Sequence, residues 1–317
     1  MVSRVLLASP RGFCAGVERA VDTVERALRL YGAPVYVRKQ IVHNKHVVED
    51  LEQRGAIFVD SVYEVPSNAT LVFSAHGVSP AVREAAGARR LNTIDATCPL
   101  VTKVHTQARR YADAGYAIAF IGHAGHEEVE GTFGEAPDAI VLVESVEDAR
   151  RVELPRDRPL AYITQTTLSL DETREIVDVL RARYPEIVAP EKEDICYATS
   201  NRQWAVKELL EEVELLLVIG SSNSSNSKRL VEVACSVGVA SHLVDDVSEI
   251  DEAWLDGVET VGVTSGASAP ERLVRDVCDW FRARGVTDVS EFSSAFEDVV
   301  FRLPVELRRA QRSSAAA

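Results

Sequence analysis

Short apolar runs alternate with amphipathic stretches along the whole chain. The runs at 5–8, 117–121 and 215–219 contain no charged residue, which is typical of parallel strands that are covered on both faces. Between such runs, apolar residues recur at helical spacing, and the first of these stretches, 17–31, stops at Gly32. Strands that alternate with helices indicate right-handed βαβ crossovers. The sequence therefore predicts an α/β fold with parallel sheets.

One local arrangement occurs three times: an extended segment, a cysteine and then a helical pattern. The cysteines are Cys14, Cys98 and Cys196. A polar loop follows each cysteine at nearly the same distance, 29 residues in the first case and 28 in the other two, measured to His43, His126 and Ser224. The repeat predicts three pseudo-equivalent small α/β domains, at 1–97, 98–194 and 195–290, with a C-terminal extension at 291–317.

The repeated cysteines are predicted to meet at one cavity. Ligands of parallel sheets bind beyond the carboxyl ends of the strands, where all three cysteines and the polar loops lie. Three convergent thiolates suit an iron–sulfur cluster that keeps one iron open to substrate. The alternative for each cysteine is a small buried hydrophobic residue, which is our interpretation of Cys235 and Cys278, since both lie in helical apolar patterns.

The polar loops carry many hydrogen-bond donors, which suits the oxygens of a phosphate group. Glu128 follows one of these loops and is the candidate proton donor, because a carboxyl group in a dry pocket has a raised pKa. The candidate ligand-binding residues are His43, His76, His126, Thr166, Ser224, Ser225, Asn226 and Ser268.

The net charge, the length of the apolar runs and the cysteine spacing argue against several classes of protein. The formal net charge of −14 over 317 residues argues against a nucleic-acid partner. The longest apolar run, 215–219, is too short to span a membrane, and the N-terminal apolar run lacks a secretory pattern, so we expect a cytoplasmic protein. Five cysteines without a CxxC pair fit neither a disulfide scaffold nor a zinc ribbon.

Two other functions stay open at this point. A hydrolase or phosphotransferase with a divalent metal would also use phosphate-binding loops, but such a site favours clustered aspartates. A zinc-stabilised interaction module would use the cysteines for folding alone. Metal content distinguishes both from an iron–sulfur enzyme.

The sequence also resembles the LytB-type 4-hydroxy-3-methylbut-2-enyl diphosphate reductases, from Pro10 to about Leu307. The resemblance implies three α/β domains in a trefoil around one 4Fe-4S cluster, held by Cys14, Cys98 and Cys196. The motifs that carry it are PRGFCAGV at 10–17, VHN at 42–44, SAHGV at 74–78, DATCPLVTKVH at 95–105, GHAGH at 122–126, EVEGT at 128–132, TQTTLS at 164–169, EDICYATSNRQ at 193–203, NSSNS at 223–227 and SGASAP at 265–270.

The same resemblance implies an oxidoreductase of the non-mevalonate isoprenoid pathway. The implied reaction is the last step of that pathway, the reductive dehydroxylation of (E)-4-hydroxy-3-methylbut-2-enyl diphosphate to isopentenyl diphosphate and dimethylallyl diphosphate. Glu128, Thr166 and His126 are then the expected catalytic residues, and the polar-loop residues given above bind the diphosphate. Ferredoxin or flavodoxin is the implied electron donor.

Overall fold

The structure, a computed structural model, describes residues 2–315. Within this part of the chain, twelve strands form three all-parallel sheets, which confirms the predicted fold class. The strands are β1 (Arg4–Ser9), β2 (Val35–Arg38), β3 (Ala56–Val59), β4 (Thr70–Phe73), β5 (Asn92–Asp95), β6 (Ala117–Ile121), β7 (Ile140–Val143), β8 (Leu160–Thr164), β9 (Leu215–Ile219), β10 (Ala240–Val244), β11 (Thr260–Ser265) and β12 (Asp288–Ser293). The helices are α1 (Ala15–Tyr31), α2 (Lys45–Gln53), α3 (Pro80–Ala88), α4 (Pro99–Asp113), α5 (Glu127–Phe133), α6 (Val146–Arg151), α7 (Leu170–Arg183), α8 (Tyr197–Leu209), α9 (Ser225–Ser236), α10 (Glu271–Ala283) and α11 (Val305–Ala315).

The chain divides into two compact units. The first comprises the chain up to Val17, His43–Val47 and Tyr197–Val300. It contains a five-stranded sheet, sheet A, in the order β10-β9-β11-β1-β12. Alternate residues of β9 enter different cores, because successive side chains of a strand point to opposite faces. Leu217 packs with α10 residues on one face, and Leu216 packs with α8 and α9 residues on the other.

The second unit comprises Glu18–Val42, Val48–Cys196 and the chain from Phe301 onward. It contains sheet B, in the order β3-β2-β4-β5, and sheet C, in the order β7-β6-β8. The middle strand of sheet C, β6, repeats the pattern of β9. Ala119 lies in one core cluster and Phe120 in another, so this short apolar run is buried on both faces as the sequence predicts.

The segment that precedes each cysteine pairs with the strand that leads into a polar loop. In sheet A, β1 pairs with β11; in sheet B, β5 pairs with β4; in sheet C, Val188 forms a bridge with Ala161 of β8. The predicted first domain, 1–97, groups β1 with β2 to β5, whereas β1 pairs with β11 and β12 of sheet A. The boundaries at 97, 194 and 290 stay a prediction.

The predicted C-terminal extension, 291–317, begins inside an element of sheet A. Residues 291–293 belong to β12, which pairs with β1, and α11 lies in the second unit. Residues 316 and 317 lie outside the described part of the chain. No helix within residues 2–315 is long and apolar enough to cross a membrane.

Replacing Phe120 with alanine should destabilise the fold strongly. Its side chain is fully buried, so truncation leaves a cavity that costs about 3–5 kcal/mol of unfolding free energy. Urea unfolding followed by circular dichroism measures the loss. The matched control is Phe296→Ala, because Phe296 is 89% exposed. Equal losses in both variants would contradict the assignment of Phe120 to the core.

Candidate active site

The three repeated cysteines occupy equivalent positions in the backbone. Each stands immediately before a helix, α1, α4 or α8. The backbone N–H of each donates to a carbonyl oxygen in the loop after the neighbouring strand, and each of these bonds lies within one unit. The bonds are Cys14 to Ala267 at 3.2 Å, Cys98 to Ala75 at 2.9 Å and Cys196 to Thr166 at 3.0 Å. The repeat seen in the sequence is therefore also a repeat of backbone contacts.

The cysteines differ in burial. None of the five, all of which lie within the described residues, forms a disulfide, and the three repeated ones are half-buried. Cys278 is buried in a core of the first unit, as its apolar pattern predicts. Cys235 is exposed on α9, where its Sγ lies 3.4 Å from the Ser241 hydroxyl. Core packing therefore explains Cys278 but not Cys235.

In the first unit, hydrogen bonds join the predicted ligand-binding loops. Asn226 links two of them, because its Oδ1 accepts the Ala267 N–H at 2.8 Å. The Ser268 hydroxyl donates to the His43 carbonyl at 2.8 Å. Ser224 caps α9 by accepting the Ser227 N–H, and Ser225 is the first residue of that helix. Hydroxyl and amide groups from three loops are thus held together in this unit.

In the second unit, two predicted histidines lie side by side. The ring centroids of His76 and His126 are 5.8 Å apart, at an interplanar angle of 88°. His76 Nδ1 lies 3.1 Å from a Glu127 carboxylate oxygen. His126 Nδ1 accepts the Glu128 N–H at 3.1 Å, so the neutral ring carries its proton on Nε2. That N–H is a suitable donor to an anion.

Glu128 and Thr166 form a buried pair beside these imidazoles. The Thr166 N–H and hydroxyl donate to the two Glu128 carboxylate oxygens, at 2.7 and 2.9 Å. Glu128 is 1% exposed and Thr166 is 4% exposed. Burial raises the pKa of Glu128 from 4.5 to about 7, although the two hydrogen bonds from Thr166 act in the opposite direction and lower the pKa. Glu128 can therefore hold or release a proton near neutral pH.

A comparison with protein families adds to this geometry. Residues 5–282 match the family model described as LytB protein. The chain belongs to the LytB family.

Close LytB relatives share nearly the whole chain. A protein of Acidothermus cellulolyticus named 4-hydroxy-3-methylbut-2-enyl diphosphate reductase is 62% identical over 307 residues, covering 96% of this chain and 90% of that protein. A protein of the same name from Streptomyces coelicolor is 58% identical over 314 residues, covering 99% and 93%.

Solved structures of LytB reductases share the fold. The structure of the E-1-hydroxy-2-methyl-but-2-enyl-4-diphosphate reductase from Plasmodium falciparum matches 99% of this chain and 100% of its own, with a TM-score of 0.97 and 39% identity. A structure of (E)-4-hydroxy-3-methyl-but-2-enyl diphosphate reductase, described as the terminal enzyme of the non-mevalonate pathway, covers 89% of this chain and 100% of its own, with a TM-score of 0.63 and 31% identity.

Several residues that contact the site were not among the predicted site residues, although Lys103 and Arg202 lie within the LytB motifs. Glu127 pairs with His76, although its place in an acidic turn fits solvent exposure equally well. Arg19, Lys103 and Arg202 bond to the backbone just before the three cysteines. A signal for them exists, since each is the fifth or sixth residue after a repeated cysteine.

Replacing Glu128 with glutamine should remove a pH-dependent loss of stability in this LytB chain. The raised pKa means that the folded protein binds the proton more tightly than the unfolded chain. The stabilisation is therefore full below about pH 4.5 and is lost as the pH rises to about 7, a change on the order of 3 kcal/mol in unfolding free energy.

Urea unfolding at pH 5 and pH 8 tests this. The stability of Glu128→Gln relative to the unsubstituted protein should increase from the lower to the higher pH. Glu130→Gln, an exposed position on the same helix, should show no such increase. A Glu128→Gln difference that is identical at both pH values would show that the carboxyl titrates normally.

Proposed function

We propose that the chain is a 4-hydroxy-3-methylbut-2-enyl diphosphate reductase. It converts (E)-4-hydroxy-3-methylbut-2-enyl diphosphate to isopentenyl diphosphate and dimethylallyl diphosphate, the last step of the non-mevalonate pathway. The observation that carries the proposal is the repetition of one backbone arrangement at Cys14, Cys98 and Cys196. Relatives with this name that are 57–62% identical support it.

The donor set fits an iron–sulfur cluster. Three half-buried thiols, each immediately before a helix, supply soft ligands. The proposed cofactor is one 4Fe-4S cluster per chain, held by Cys14, Cys98 and Cys196, with one iron open to substrate. When bound, the cluster would pass the two electrons of the reaction, one at a time, from an external donor.

The polar loops bind the diphosphate in this proposal. A diphosphate presents several anionic oxygens and needs many donors, which hydroxyl, amide and imidazole groups provide. Four of the residues, Thr166, Ser224, Asn226 and Ser268, are at least nine-tenths buried, so their bonds to an anion are little weakened by water. The proposed binding residues are His43, His76, His126, Thr166, Ser224, Ser225, Asn226 and Ser268.

Glu128 and Thr166 deliver the proton that the departing hydroxyl needs. Two electrons and two protons convert the substrate into product and water, and the C–O bond breaks. A protonated Glu128 donates to the Thr166 hydroxyl, which passes its own proton to the leaving oxygen. The second proton goes to one end of the allylic carbon chain, and the end chosen decides which product forms. His126, the N-cap residue of α5, orients the oxygen through its Nε2 proton.

An electron donor and a compartment complete the proposal. The donor is a small redox protein such as ferredoxin or flavodoxin. A cytoplasmic location fits a protein whose cysteines, all among the described residues, form no disulfide.

Metal analysis tests the cofactor. Protein purified without oxygen should contain about four irons and four acid-labile sulfides per chain, and its visible spectrum should change when the hydroxylated diphosphate is added. A colourless protein that binds zinc would instead establish the interaction module. Absence of any metal would also end the proposal.

Glu128→Gln should keep the cluster and lose most of its turnover. Glutamine can accept the Thr166 N–H but cannot release a proton, so kcat should fall roughly 100- to 10,000-fold. Turnover with a chemical reductant, normalised to iron content, measures the effect. Glu130→Gln is the matched control and should turn over like the unsubstituted enzyme. Normal turnover by Glu128→Gln would assign the proton to another group.

A further inference from the structure

Three basic side chains hold the backbone just before the three repeated cysteines. Arg19 and Lys103 are each the fifth residue after a cysteine, and Arg202 is the sixth. Each lies on the helix that follows one cysteine and bonds to the segment that leads into another. Arg19 follows Cys14 and bonds before Cys98, Lys103 follows Cys98 and bonds before Cys196, and Arg202 follows Cys196 and bonds before Cys14.

Two of these contacts lie in the second unit. Arg19 donates to the carbonyls of Ala96 and Thr97 at 2.9 and 3.0 Å, and to that of Asp95 at 3.3 Å. Burial lowers the pKa of Arg19, whereas its attraction to the Asp95 carboxylate and to the Cys98 sulfur opposes that shift. The guanidinium thus contacts the backbone of all three residues that precede Cys98.

Lys103 makes an equivalent contact before Cys196. Its ammonium donates to the carbonyl oxygens of Lys192 and Glu193, at 2.7 and 2.5 Å. It also pairs with the fully buried Asp194 carboxylate at 2.9 Å. Asp194 in turn accepts the Thr164 N–H at 3.1 Å. The segment before Cys196 is therefore tied both to α4 and to the end of β8.

The third contact lies in the first unit and is the most deeply buried. Arg202 is fully buried, and its Nη2 donates to the Gly12 carbonyl at 2.7 Å. Gly12 has a φ of +69°, which glycine adopts readily, so the loop before Cys14 makes a tight turn here. Glu297 neutralises the guanidinium at 3.0 Å. An arginine buried in this way is costly without such partners.

We infer that Arg19, Lys103 and Arg202 are positioning residues for the three cysteines. Each donates to backbone carbonyl groups close before a cysteine, and a hydrogen bond from a cation is stronger than one from a neutral donor. The carbonyl of Ala96, two residues before Cys98, accepts such a bond, and so does the carbonyl of Gly12, two residues before Cys14. Before Cys196, Lys103 binds the side chain of the residue at the equivalent position, Asp194. The inference rests on the proposed function, in which these cysteines bind the cluster.

Cluster release tests the inference. The holoenzyme, prepared without oxygen, is mixed with an iron chelator, and the loss of visible absorbance gives a rate. Arg19→Gln, Lys103→Gln and Arg202→Gln should release iron about 10- to 100-fold faster than the unsubstituted protein, the usual range for residues that orient metal ligands. Three other variants, Lys103→Arg, Arg19→Lys and Arg202→Lys, keep the positive charge, so they should release iron more slowly than the glutamine variants.

Matched substitutions on the same helices separate positioning from general stability. Arg26 on α1 pairs with Asp22, Arg110 on α4 pairs with Glu191, and Lys207 on α8 lies over the Trp204 ring. Arg26→Gln, Arg110→Gln and Lys207→Gln should release iron at the unsubstituted rate. If Arg202→Gln does not fold, Arg202→Lys decides that position, with release intermediate between the unsubstituted protein and the other glutamine variants.

The outcomes are distinguishable. An unsubstituted protein with the expected iron, together with glutamine variants that release it at the unsubstituted rate, would overturn the positioning role and leave the proposed function intact. Equal acceleration in the control variants would also overturn it, by showing a general loss of stability. An unsubstituted protein without iron would overturn both.

Discussion

One backbone hydrogen bond, made by each of the three repeated cysteines to the loop after a neighbouring strand, determines where the cysteine lies. Parallel pairing places the ends of adjacent strands at the same edge of a sheet. The cysteine N–H can therefore reach the loop carbonyl only if the two segments keep their register. Cys196 illustrates the consequence, because its partner Thr166 also bonds to Glu128. The positions of the Cys196 thiol and of Glu128, the proposed proton donor, thus depend on the same few bonds.

The sequence predicted those parts of the fold that local patterns encode. The buried runs of β6 and β9 and the helices after the cysteines all follow from apolar spacing and from the residues that end each pattern. The partner of β1 did not follow, since β1 pairs with strands more than 250 residues away and no local pattern records that choice. The repeat was visible, but the sheet to which its first strand belongs was not.

The absence of any local pattern for long-range contacts also explains which site residues were not predicted. Cysteines and histidines are few and carry recognisable chemistry, so their repetition indicates a site. Arginine and lysine are common on surfaces, and their long side chains reach groups that a single sequence does not place nearby. Arg202 lies 190 positions from the carbonyl that it binds, and Arg19 lies 77 positions from Ala96. Only the fold shows which backbone groups these cations contact.

The place of β1 in sheet A bears on how the protein is made. Of the described strands, β1 comes earliest in the chain, yet it lies between β11 and β12, which come last. Contacts between distant parts of a chain form late, because the intervening loop must first be closed. The segment that carries Cys14 therefore leaves the ribosome long before its hydrogen-bond partners exist. In the proposed function, a cluster that uses Cys14 in this backbone setting can bind only once the chain has been made at least as far as Ala267.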